Sequence, residues 1–170
     1  MLADRGGEMN PRCKLAWMVV FLSSFVLPGS PAAYAAAPTD ACSLLTLAQV
    51  GAVLGVSVST MTPDPKKLCM WSENHPNGPA KAASLTIWSL AAFPSVTTAA
   101  VAGVVVTPVK GVGDDAVYAG PPESAGNSGY PGKIFVKKNG VVFSITVLGF
   151  PIDQAKEKEK TLALDVVPKL

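Results

Sequence analysis

Lys133-Ile134-Phe135-Val136-Lys137-Lys138-Asn139-Gly140-Val141-Val142-Phe143-Ser144-Ile145-Thr146-Val147-Leu148 is the stretch that decides the fold. Two β-branched, aromatic-bearing runs flank Asn-Gly, the dipeptide that most readily takes the two positive φ angles of a tight primed turn. The spacing predicts an antiparallel hairpin. In its second arm Phe143, Ile145 and Val147 share one face and Val142, Ser144 and Thr146 the other, so the hairpin carries one face suited to burial.

Upstream, residues 68–72 and 82–90 also read as strand. In the second of these, Leu85, Ile87 and Ser89 alternate with Ser84, Thr86 and Trp88. Asn74-His75-Pro76-Asn77-Gly78-Pro79 between them is turn chemistry, so the two runs are expected to pair antiparallel. Residues 104–106 and 116–119 read as two further short strands, separated by the turn Gly111-Val112-Gly113-Asp114-Asp115. The Gly-, Pro- and Ser-rich stretch 120–132, which contains Tyr130, reads as a long loop.

Helices frame these strands. Thr46-Leu47-Ala48-Gln49 fits a capping box, and Gly55 supplies a left-handed stop, predicting two turns of helix over 47–54. A small-residue helix is expected from about Ser95 to Gly103, weakened by Val96, Thr97 and Thr98. Residues 153–167 read as a closing helix, with Ala155, Leu162, Val166 and Leu170 sharing a stripe with Ala163 and Val167. The run Lys156-Glu157-Lys158-Glu159-Lys160 reads as a solvated helical face. With few helical crossovers between strands, the expected architecture is α+β: a mainly antiparallel sheet of five or six strands with N-terminal and C-terminal helices packed on it.

The amino terminus addresses location. Arg5, Arg12 and Lys14 precede an apolar run over 15–26, followed by Pro31-Ala32-Ala33-Tyr34-Ala35-Ala36-Ala37. Basic, apolar, then small describes a secretory signal peptide, with cleavage expected after Ala35. That gives residues 1–35 as leader and 36–170 as a single domain, with translation starting at Met1 or Met9. The apolar run falls short of the roughly 20 residues of a membrane span; an uncleaved anchor is the alternative. Export, to the periplasm or the medium, puts Cys42 and Cys69 in an oxidising compartment, where a disulfide is expected. Two free buried cysteines are the alternative.

Composition narrows the partners. The chain has 14 basic and 12 acidic residues, and beyond the leader every basic residue is lysine. A net charge of +2 provides no electrostatic footprint for nucleic acid. Without arginine, bidentate capture of phosphate or carboxylate has no ready tool.

No catalytic constellation emerges. His75 is the single histidine and sits in a turn-rich loop, and Cys42 and Cys69 lack redox spacing. One histidine and two separated cysteines fall short of a zinc site. Asp114-Asp115 reads as turn chemistry, since calcium loops place their oxygens at alternate positions. No cofactor and no metal are expected. Trp71 and Trp88, on strands expected to pair, and Tyr130 are the candidate ligand-facing aromatics; filling the core is the competing role for the tryptophans.

Asp40-Ala41-Cys42-Ser43-Leu44-Leu45-Thr46, the helix end Leu54-Gly55, Cys69-x-Trp71 and Gly111-Val112-Gly113-Asp114-Asp115-Ala116 together resemble a broad group of small bacterial exported domains and lipoproteins of unknown function. The resemblance implies a Cys42–Cys69 bond, an α+β sandwich similar to the PsbP/Mog1 fold, and no enzyme activity. Many members carry a lipobox. Here Thr39-Asp40-Ala41 precedes Cys42, and Asp40 spoils that pattern. The expected function is an exported, non-enzymatic envelope protein that binds another envelope protein or a small apolar ligand. The alternatives are an exported enzyme with an unrecognised carboxylate site and a purely structural accessory.

Overall fold

The computed structural model describes residues 40–74, 81–98, 103–122 and 132–170. All belong to the second of the two units into which the chain divides, Ala33–Leu170. Residues 1–35, the expected leader, together with His75, Tyr130 and the centre of the 120–132 loop, lie outside the described residues.

A 3₁₀ turn at Ala41–Ser43 leads into helix α1, Leu47–Leu54, then strands β1, Val58–Asp64, β2, Leu68–Glu73, and β3, Ala82–Trp88. Helix α2, Ala92–Thr98, precedes β4, Val105–Pro108, β5, Asp115–Gly120, β6, Lys133–Lys138, and β7, Val141–Leu148; helix α3, Ile152–Val166, follows and runs into a 3₁₀ turn at Val167–Lys169. Every strand pairing is antiparallel, in the order β1-β2-β3-β7-β6-β5-β4. Two meanders therefore meet where β3 pairs with β7.

The sheet has seven strands rather than the expected five or six. The additional one is β1, which contains Pro63, a residue that disfavours strand. It is an edge strand, and its register with β2 shifts between Met61 and Asp64. An edge position and a bulge are the two places where a strand accommodates proline, because the missing N–H has no ladder partner to lose.

Local signals formed as their chemistry requires. Asn139 and Gly140 take φ of 47° and 80°, and Lys138 pairs with Val141 around them, which is the primed two-residue turn. Thr46 Oγ1 accepts from the Gln49 N–H at 3.2 Å while Gln49 Oε1 accepts from the Thr46 N–H at 3.1 Å. Such a cap is worth about 1 kcal/mol, and α1 is too short to persist without it and its packing. Helix α2 starts at Ala92, earlier than the sequence indicates.

The core lies between one sheet face and the helices α1 and α3. Trp71, Leu85, Phe143 and Ile145 meet Val50, Leu54, Leu162 and Val166 there. A smaller cluster on the opposite face joins Phe93 of α2 to Val117, Phe135 and Val142, residues that alternate with the main-core set along their strands. Cys42 and Cys69 are bonded, Sγ to Sγ 2.05 Å, with 27 residues of separation. On the chain-entropy model a loop of that length contributes about 3.5 kcal/mol. The Ala41 N–H donates to the Pro65 carbonyl at 2.7 Å, tying the same loop a second time.

Candidate functional site

Helix α3 packs across β6 and β7, but the sheet extends two strands further, to β5 and β4. Among the described residues, the flank of α3 and these two strands bound a trough. Two abutting cavities of about 170 and 240 Å³ occupy it, sharing Thr107 of β4, Tyr118 of β5 and Lys156 of α3 as lining.

Tyr118 forms the floor. It points to the same face as its ladder neighbours Thr107 and Ile134, and its ring lies against Gly120 and Gly132. A Cβ on Gly132 would stand 1.8 Å from the Tyr118 hydroxyl oxygen, and one on Gly120 2.6 Å from the ring. Glycine is needed at both positions for close approach rather than for φ. The Lys156 ammonium sits 4.8 Å from the ring centroid, a cation–π arrangement. Burial, then the negative charges of Glu159 and Asp153, push the Tyr118 hydroxyl up to about 12.

Behind this floor lies Glu159, 0 % exposed and inside the core. The 156–160 run read as a solvated face, and at Glu159 the structure corrects that reading. Ala155, Glu159, Leu162, Ala163 and Val166 form the buried stripe of α3, so Glu159 occupies the position four residues after Ala155 on the inward side. Oε1 accepts from the Val147 N–H at 2.9 Å. Oε2 has no hydrogen-bond partner. Burial pushes this carboxyl up to about 8, against the pull of the Val147 and Ile134 amides and of Lys133 and Lys156. The helical period carried the signal: a glutamate interrupting an otherwise apolar stripe.

The sequence-derived candidates are scattered. Trp71, 1 % exposed, is a core residue facing α1 and α3, so it offers no surface to a ligand. Trp88 lies on the opposite face at 39 % exposure, its ring 6.0 Å from that of Phe135 and its Nε1 donating to Ser144 Oγ at 2.9 Å. The two tryptophans sit on paired strands yet on opposite sides of the sheet. Asp114 accepts from Lys138 Nζ and from the Asn139 N–H, each at 2.8 Å, and so holds the β6–β7 turn. Neither Asp114 nor Asp115 lines the trough. Among the described residues no cluster of His, Cys, Asp and Glu has the makings of a metal site, and no helix is long and apolar enough to cross a membrane.

Comparison with protein-family models, with curated proteins and with solved structures finds no match.

Proposed function

We propose that this chain is an exported binding module that holds a small ligand in the trough between α3 and the β4–β5 strands. The observation that carries this reading is the concave, partly apolar strip floored by Tyr118, whose own hydroxyl is pushed up to about 12 first by burial. Convergence of a cavity with perturbed titratable groups is the general mark of a small-molecule site. The Cys42–Cys69 bond supports an oxidising compartment, as does the leader-like amino terminus. Binding is favoured over catalysis because Glu159 is sealed in the core and lines neither cavity.

A protein partner on the opposite sheet face is less well supported. Met61, Trp88 and Leu148 are exposed there. On the same face Ser59, Ser72, Ser84, Thr86 and Thr146 are interleaved among them, so the apolar side chains are scattered rather than joined in a patch.

The test is a small-molecule screen by NMR on labelled protein, repeated on Thr107→Trp. Thr107 is exposed on an edge strand and lines both cavities, so the indole fills the trough without disturbing the core. Ligands that shift β5 and α3 amides in the wild type and lose binding in the variant support the proposal. Ligands that bind both proteins equally, or none at the trough, overturn it.

A further inference from the structure

Resting on that reading, we infer that the trough selects small anionic amphiphiles: a carboxylate or similar head with a short apolar body. The lining is chemically divided. Pro108, Val109 and Ile134 offer apolar wall, while Lys110 and Lys160 bring positive charge beside the carboxylate of Glu157. Lys156 is engaged on the Tyr118 ring, which anchors its charge at the junction of the two cavities.

Lys110 and Lys160 have no ion-pair partner among the described residues. They approach the trough from different elements, one from the turn after β4 and one from the third turn of α3, so an anion between them gains from both. Lysine acts here as a point charge, which suits a simple anionic head and does not require the planar fork of arginine. The cavity also discriminates by size. Its two parts, about 170 and 240 Å³, together fall in the lower part of the range of about 300–1,000 Å³ usual for small-molecule sites, which suits a short chain better than a full lipid.

Amphiphiles of other charge are excluded by the same lining. A cation would meet the like charges of Lys110 and Lys160. A neutral alcohol would gain the apolar wall but leave Lys110 and Lys160 without a counter-charge.

The experiment titrates hexanoate, hexylammonium and hexanol into the labelled protein at low ionic strength and follows amide shifts in β4, β5 and α3. Hexanoate is expected to saturate those shifts with affinity at least about tenfold above the other two, a difference two partly exposed charge contacts can supply. In Lys110→Gln/Lys160→Gln the hexanoate preference falls by about that factor. Thermal unfolding of the variant is expected to match wild type, because neither side chain supports the core. Hexylammonium or hexanol binding at the trough as tightly as hexanoate overturns the anionic class and leaves the binding reading standing. If no probe of any charge shifts the trough, both fall. An unchanged hexanoate preference in the double variant also overturns the inference, since the two lysines are its source.

Discussion

The carboxyl of Glu159, in the middle of α3, accepts the backbone N–H of Val147 in β7 at 2.9 Å. The β6–β7 ladder ends at the pair Ile134 and Ile145, so Val147 lies beyond the last rung, where β6 leaves its amide without a partner. A buried amide in that state costs about 1–3 kcal/mol. A helix side chain thus completes the strand's hydrogen bonding, and the helix is pinned in register over the sheet.

That arrangement carries a pH signature. The Glu159 carboxyl is pushed from 4.5 up to about 8 by burial, so the native state holds a proton that the unfolded chain releases. Stability therefore falls as pH rises from about 4.5 to about 8 and levels off above, by a few kcal/mol in order of magnitude. Urea midpoints at pH 5, 7 and 9 should decline in that order. In Glu159→Gln the amide oxygen keeps the Val147 bond and the decline shrinks. A wild-type midpoint constant from pH 5 to 9 contradicts this account.

Asp114 has the opposite sign. Its hydrogen bonds from Lys138 and from the Asn139 amide hold the carboxyl below its usual range, so the contribution is present at neutral pH and is lost as pH falls through the lowered value. Asp114→Ala should lower the melting temperature at pH 7 and change it much less at pH 2. An equal effect at both values rules out the ionic role.

Removing the staple is a larger perturbation. Cys42→Ser/Cys69→Ser should lose about 3.5 kcal/mol of stability, read as a shift of the urea midpoint, and wild type treated with reductant should show a similar shift. Identical unfolding with and without reductant means that the bond does not constrain the chain.

Gly132 tests the floor of the trough. Gly132→Ala drives a methyl into the space of the Tyr118 hydroxyl, and overpacking of this kind costs about 1–3 kcal/mol. Shortening the partner in Gly132→Ala/Tyr118→Leu should recover part of that loss. Additive single-variant costs show that the two residues are not coupled.

Alternation and turn chemistry determined the local pieces. Asn139-Gly140 set the hairpin, Thr46 and Gln49 set the start of α1 and Gly55 its end, because those residues act on backbone groups within a few positions of themselves. The Cys42–Cys69 pair was readable too, since only two cysteines follow the leader-like segment.

Tertiary structure decided the rest. The Pro63-bearing segment became β1 because an edge was available to it, and Trp71 and Trp88 took opposite roles because their strands pair with these residues on opposite faces. Glu159 became a core residue because its place on α3 is set by the apolar side chains one and two turns away, whose burial outweighs the cost of enclosing one carboxyl that can keep its proton. The trough exists because α3 is one helix wide over a sheet two strands wider. No residue of β4, β5 or α3 encodes that mismatch alone; it arises only when all three are packed together.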